Sequence, residues 1–341
     1  MKQKPKIIFL VRLYHPHVGG VEKHVEKTVG ALRKKGYAIT IVTEQFDKKL
    51  KLYEKHDDTE IFRIPIGGSA FYKKFSIWKW VLTHLSLFFK TDIIHIHDVF
   101  YWIIPIRFLL ITKRIYITFH GYEGYPVKMR WKVLRKISEM LTNGNLCIGD
   151  FMKKWYSTSP TAISYGGVDK YTKRSTPQPQ SAVFFGRFDS QTGVLEYVDA
   201  YKLIRKKYPK FRLTVIGSGH LKNKIPKSVK ILPFDANIEP YISQNRFIFV
   251  SRYLSMLEAL VQKREIVAVY DNPVKKDYLL LSPFKNYVFL AKNAKEIAST
   301  VEECIENSLY GKERVGKGYN WASKQTWEVV ADAYLRLWME K

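Results

Sequence analysis

Short apolar runs without polar interruption return along this chain, and stretches whose apolar residues recur at helical spacing lie between them. Lys6 to Arg12 reads as a strand covered on both faces, because its apolar run Ile7-Ile8-Phe9-Leu10-Val11 is continuous rather than alternating. Beyond Gly19-Gly20, the residues Val21, Val25, Val29 and Leu32 share one helical face, and Lys34-Lys35-Gly36 closes that helix. Ala38 to Thr43 is the next strand and completes a β-α-β unit. The alternation continues through strands predicted at Asp92 to His97, Arg114 to Phe119 and Asn145 to Ile148. Strands of this kind, each separated by a helix, predict a doubly wound parallel sheet.

A second cycle follows. Asp169 to Gln180 is basic, contains Pro177 and Pro179, and reads as a linker. Ser181 to Phe185 is a predicted strand, Gly193 to Lys207 a helix, and Phe211 to Ile216 a strand ending in Gly217-Ser218-Gly219. Further strands are predicted at Val229 to Leu232, Phe247 to Ser251 and Ile266 to Tyr270. The expectation is therefore an α/β chain with two Rossmann-like domains, residues 1–168 and 169–318. An amphipathic segment over Trp321 to Glu340, within a last portion 319–341, is expected to pack back on the first domain. Ligands of such sheets bind beyond the carboxyl ends of the strands, which predicts a site in a cleft between the domains.

Composition narrows the class. The 341 residues are 46% hydrophobic, enough for packed cores, and carry 57 Lys+Arg against 31 Asp+Glu, a formal charge of +26. That surplus exceeds the magnitude of about 2 to 8 that keeps a small domain soluble and points to an acidic partner. Two distant cysteines, Cys147 and Cys304, support neither a disulfide scaffold nor a zinc module and suit a reducing compartment. The apolar run behind the basic N-terminus is too short for a secretory core, and the most apolar stretch, Val99 to Thr112, is broken by Pro105 and Arg107. Membrane contact is thus expected at a surface. Phe71 to Trp80 and Tyr125 to Lys136 interleave basic and aromatic residues. Each reads either as a helix lying on an anionic headgroup layer or as a core-facing helix with a solvated basic face. No helix-turn-helix, RNP-like or zinc pattern accompanies the charge, so nucleic acid is not an expected partner.

Four features are candidates for chemistry. Gly19-Gly20 and Gly217 with Gly219 stand at strand ends, where glycine lets backbone N–H groups approach a phosphate; either pair is also a tight turn. Arg187 follows the strand Phe184-Phe185 and is either a bidentate partner for a diphosphate or a surface charge. His120 closes the strand Ile117-Thr118-Phe119 and is either a donor to a substrate hydroxyl or a polar terminus. Glu258 falls early in the helix after Ser251 and either accepts two ribose hydroxyls or complements that helix's dipole. His95, His97 and Asp98 alternate on a strand, but Asp98 lies past its end, and no metal site is expected.

Taken in order, His17 to His24, Ile94 to Asp98, Thr118 to Gly121, Ile163 to Asp169, Phe185-Gly186-Arg187, Val215 to Gly219 and Leu257 to Leu260 resemble the retaining GT-B glycosyltransferases of family 4. The resemblance runs nearly end to end. It implies metal-independent transfer of a hexose from a nucleotide-sugar, UDP- or GDP-linked, with no cofactor. Glu258 would hold the ribose, Arg187 the diphosphate with the Gly217 to Gly219 turn nearby, Gly19-Gly20 a phosphate, and His120 the reacting sugar. The implied acceptor is lipid-linked or a glycan, met at the inner face of the plasma membrane in envelope glycan or glycolipid synthesis.

Three departures set this chain apart from the pattern. The family's second glutamate, eight positions before the one matched by Glu258, falls on Val250, and its Glu-Gly-Phe-Gly loop is missing. The family's phosphate-binding lysine falls on Thr192, and Tyr270-Asp271-Asn272-Pro273 replaces a glycine-rich turn. A donor pocket rebuilt around Tyr253 or Asn272 fits these changes. So does an inactive relative that serves as a binding subunit of a glycan-synthesis complex.

Overall fold

The computed structural model describes residues 4–67, 70–172, 175–235 and 237–339. Met1-Lys2-Gln3 of the basic N-terminus and Lys173-Arg174 of the linker lie outside the described residues, as does the side chain of Phe71. The chain divides into two compact units. Met1–Glu123, Val127–Ser164 and Trp327–Lys341 form the first, and Gly124–Pro126 with Tyr165–Thr326 the second.

The first unit is built on β1 (Ile7–Val11), β2 (Ile39–Gln45), β3 (Tyr53–His56), β4 (Thr59–Pro65), β5 (Ile93–His97), β6 (Arg114–Phe119), β7 (Gly144–Ile148) and β8 (Ala162–Ser164). Their order in the sheet is β3-β4-β2-β1-β5-β6-β7-β8. All neighbours are parallel except β3 and β4. Every residue of β1 is buried, as its unbroken apolar run requires of a central strand. Around the sheet lie α1 (Gly20–Lys34), α2 (Ala70–Thr83), α3 (Leu85–Phe89), α4 (Met129–Met140) and α5 (Phe151–Tyr156). In α1 the buried residues include Val25, Val29 and Leu32, and also His24 and Thr28.

The β3–β4 hairpin was not expected from periodicity. Its two-residue turn is Asp57-Asp58, with φ of 44° and 58°, a conformation asparagine and aspartate tolerate better than most residues. The apolar stretch after β5 forms 3-10 turns over Phe100–Trp102 and Ile104–Leu110, which bury Trp102 and Ile106 and leave Phe108 and Ile111 exposed.

In the second unit β9 (Gln178–Phe185), β10 (Arg212–Ile216), β11 (Lys230–Leu232), β12 (Asn245–Phe249), β13 (Glu265–Val269) and β14 (Phe289–Ala291) make one parallel sheet, ordered β11-β10-β9-β12-β13-β14. Its helices are α6 (Val194–Lys207), α7 (Glu239–Gln244), α8 (Tyr253–Leu260), α9 (Pro273–Leu280), α10 (Ala294–Glu306) and α11 (Lys312–Ala322). The chain runs outward from β9 to β11, then returns to place β12 on the other flank of β9. The strand order therefore reverses between β9 and β12, and at such a point the connecting loops diverge and leave a crevice beyond the carboxyl ends.

The amphipathic segment expected over Trp321 to Glu340 is interrupted. Val168 pairs in parallel with Thr326 and its N–H donates to the Gln325 carbonyl (2.8 Å), which takes those residues out of helical geometry. The chain then rejoins the first unit as α12 (Trp327–Met339), packed along α1 and against β7 and β8.

Candidate functional site

The carboxyl ends of β9 and β10 interlock through glycine. Gly217 has φ +143°, and a Cβ there would stand 2.0 Å from the Gly186 carbonyl oxygen. Gly219 has φ +153°, and its Cβ would meet the Phe188 carbonyl oxygen at 2.5 Å. The closeness is used: Phe188 N–H donates to Ser218 O (2.8 Å), and Leu221 N–H to Phe188 O (3.1 Å). These glycines thus fix the turn on both sides of Arg187, whose side chain is left 75% exposed beside Asp189 (3.3 Å). Thr192 closes the same loop, its Oγ1 donating to Arg187 O (2.7 Å) and Asp189 O (2.8 Å), and Gly193, φ +73°, starts α6.

At the neighbouring strand, β12 stops at Phe249 and α8 begins at Tyr253, so Val250, Ser251 and Arg252 are the whole connection. Val250 is buried. Arg252 Nη2 donates to Gln191 Oε1 (2.9 Å), which joins this connection to the Arg187 loop. Glu258 lies partly buried on the second turn of α8. Tyr253 is 2% exposed, its ring stacked between Tyr278 (3.9 Å) and Phe284 (5.1 Å) and its hydroxyl donating to the Tyr278 carbonyl (2.5 Å). The structure therefore places Tyr253 in the packing between α8 and α9. Asn272 caps α9, its side-chain oxygen accepting the Lys275 N–H (2.9 Å).

Sequence reasoning passed over Lys275, because lysines are almost never buried and nothing local marks this one. It is 1% exposed, and its Nζ donates to the Gln191 carbonyl (3.1 Å). Burial first, then the neighbouring Arg252, holds its ammonium well below the usual lysine range.

In the first unit, Gly19 adopts extended backbone and precedes α1, and a Cβ on it would meet only the flexible Glu22 carboxylate. Glu22 also pairs with His17 (3.2 Å), so the start of α1 already carries an anion. A Cβ on Gly20 would meet nothing.

His120 belongs to a histidine cluster at the ends of β5 and β6. Trp338 of α12 can only donate, so its Nε1–H fixes His95 Nδ1 as an acceptor (3.0 Å). His95 Nε2–H then donates to Thr118 Oγ1 (2.7 Å), and hydrogen bonds continue between Thr118 Oγ1 and the Tyr334 hydroxyl (3.0 Å) and between that hydroxyl and His24 Nε2 (3.0 Å). One indole thus fixes the tautomer of His95 and the direction of its bond to Thr118. Burial pushes His24 down to about 4 and His95 to about 3, so both rings are neutral near pH 7. His120 Nε2 meets His97 Nδ1 (2.8 Å), and its backbone N–H donates to Asp98 (3.1 Å). Burial also holds His97 and His120 well below the usual range. The alternation of His95 and His97 was visible in the sequence, but their partners on α12 were not. Among the described residues no group of three His, Cys, Asp or Glu is placed to hold a metal ion.

Helix α4 presents its faces in reverse. Arg135 and Ser138 are buried, Arg135 over the Tyr156 ring (3.9 Å) and donating to Glu123 (2.8 Å) and Gly121 O (2.5 Å). Met129, Val133, Ile137 and Met140, one stripe at helical spacing, are exposed beside Arg130, Lys132 and Lys136. In α2, Tyr72 and Phe75 are exposed, whereas Trp80 is buried and Trp78 donates to Tyr101 O (2.8 Å). No described helix is long and apolar enough to cross a membrane. A cavity of about 460 Å³ lies at the amino end of the second sheet, where Arg246 is already paired with Glu265 (2.7 Å).

Two α/β units, each on a largely parallel sheet, make up the GT-B fold, which solved glycosyltransferase structures share. The sucrose-phosphate synthase of Thermosynechococcus elongatus superposes with a TM-score of 0.79 at 13% identity, covering 98% of each chain. Anabaena HepE, solved with UDP and glucose, gives 0.71 at 14% identity, again over 98% of each. The model of Glycosyltransferase Family 4 matches residues 18–169. The GDP-mannose:cellobiosyl-diphosphopolyprenol alpha-mannosyltransferase of Xanthomonas campestris is 24% identical over 234 residues. That match spans 62% of this chain and 60% of the Xanthomonas enzyme's length.

Proposed function

We propose that this protein transfers a hexose from a UDP- or GDP-linked donor, with retention and without a metal or cofactor, to a lipid-linked or glycan acceptor. The observation that carries the reading is the pair of cations at the β9/β12 reversal: Arg187 on glycine-locked backbone beyond β9, and Arg252 beyond β12, bonded to Gln191 of the same loop. A departing diphosphate gathers negative charge, and fixed cations and N–H donors aimed there stabilise the transition state most. Glu258 is the candidate for the ribose hydroxyls. In the first unit, neutral His120 offers a hydrogen bond to the reacting sugar without competing for the diphosphate. The named substrates of the Xanthomonas relative, a nucleotide-sugar and a diphosphopolyprenol, support both halves of the reading. The outward apolar stripe of α4 among basic residues supports work at an anionic surface, which we assign to the cytoplasmic face of the plasma membrane.

One observation favours the second reading, an inactive binding subunit: the three-residue β12–α8 connection leaves no acidic loop at the donor sugar. A thermal-shift screen of nucleoside diphosphates and their sugars, followed by assay of diphosphate release, separates the two. Stabilisation by a diphosphate, with release of that diphosphate lost in Arg187→Ala, supports the transferase. Stabilisation without turnover supports the binding subunit, and no stabilisation by any nucleotide overturns both.

A further inference from the structure

Three adjacent strands, β9, β12 and β13, each release a cation at the carboxyl end, and a single loop touches all three. Arg187 opens that loop, Arg252 bonds the Gln191 side chain (2.9 Å), and Lys275 bonds the Gln191 backbone carbonyl (3.1 Å) from the first turn of α9. Arg187 and Arg252 are ordinary loop cations. Lys275 is not, since a buried amine bears a desolvation penalty that only good partners offset. Among the described residues it makes no ion pair, and its hydrogen bonds end at that one carbonyl. Asp189 pairs with Arg187, and Asp271 accepts from Asn272. Two of the three ammonium N–H bonds therefore lack an acceptor, with only the Tyr278 ring beneath the amine (5.5 Å). A packing role does not call for an amine here.

We propose that Lys275 is a phosphate-binding cation of the nucleotide site, delivered from α9 because the β9–α6 loop itself offers only Thr192 at the corresponding place. The inference rests on the nucleotide-sugar reading. A diphosphate supplies oxygens for the idle N–H bonds, and the flexible four-carbon stem lets the amine follow it while the loop carbonyl holds the other side. The charged groups around the amine are Arg252, Asp271 and Asp189. Without ligand, Arg252 discourages the ammonium; a bound diphosphate reverses that balance.

The test compares wild type with Lys275→Met, which keeps the length and removes the charge, and Lys275→Arg, which keeps the charge. UDP, GDP, uridine and guanosine are titrated calorimetrically against each. Loss of a charge-assisted bond predicts roughly ten- to hundredfold weaker binding of the diphosphate to the Met variant, unchanged nucleoside affinity, and partial recovery in the Arg variant. The Met variant should melt at or above the wild-type temperature, because an incompletely paired buried amine has been removed. Unchanged diphosphate affinity, or an equal loss for nucleoside and diphosphate, overturns the assignment and leaves the nucleotide site standing. If the Met variant does not fold, full diphosphate affinity in folded Lys275→Gln overturns it equally. A wild-type protein that binds neither diphosphate removes the nucleotide reading itself.

Discussion

Where β5 and β6 end, four histidines are held neutral by burial and several are tied into a relay of hydrogen bonds; where β9, β12 and β13 end, three cations gather on one loop. The sheets share a winding plan, yet their sites differ in electrical character. The first offers a chain of hydrogen bonds anchored at Trp338, and its histidines are neutral near pH 7. The second carries charge with few internal partners. The glycines divide in the same manner, since Gly217 is required by its own backbone and Gly20 is not.

Acidification should break the contrast most strongly. Each buried histidine takes up its proton in the native state at a lower pH than in the unfolded chain, where the value is about 6.5. The unfolded state therefore binds more protons below that pH, and stability falls as pH drops toward the folded values of about 4 and 3. His24 and His95 together lose about 5 kcal/mol between roughly pH 6.5 and 4.5. Seven of the eight tryptophans lie in the first unit, all but Trp321, so urea unfolding followed by tryptophan fluorescence reports on it. An unchanged pH slope in His95→Gln would refute the relay as its source.

The glycine contrast comes next. Gly217→Ala drives a Cβ into a carbonyl oxygen from a strained φ and should cost about 3 kcal/mol in urea unfolding followed by far-UV circular dichroism. Gly20→Ala, in an open helical position, should shift stability by less than about 1 kcal/mol, on the stabilising side. Equal effects would mean that the two clusters do not differ. The smallest effect concerns α4, which buries Arg135 and Ser138 where α1 buries Val25, Val29 and Leu32. Val133→Glu should weaken binding to phosphatidylglycerol-containing vesicles at low salt about tenfold and leave nucleotide-induced stabilisation unchanged. Wild-type indifference to such vesicles would end the membrane reading.

Much of this architecture was legible from the residues. Unbroken runs such as Ile7 to Val11 mark central strands because a strand with two covered faces has no position for a polar side chain. Elements with weaker constraints escaped notice. The β3–β4 hairpin turns on Asp57-Asp58 rather than on glycine, and the long apolar stretch after β5 folds into 3-10 turns around Pro105. The site was legible only in part. Arg187 and the Gly217 to Gly219 turn stood out because a strand end followed by glycine is a local pattern. Lys275 and the ties from His95 to Trp338 depend on residues far apart in the sequence, and no local spacing encodes them.

The placement of α12 has a bearing on how the chain is made. Tyr334 and Trp338 supply hydrogen-bond partners inside a sheet whose first strand leaves the ribosome more than three hundred residues earlier. Translation therefore delivers the entire second sheet before the first unit receives its final hydrogen-bond donors. Until then His95 lacks its Trp338 donor and His24 its Tyr334 partner, and the older half of the nascent polypeptide waits for the younger.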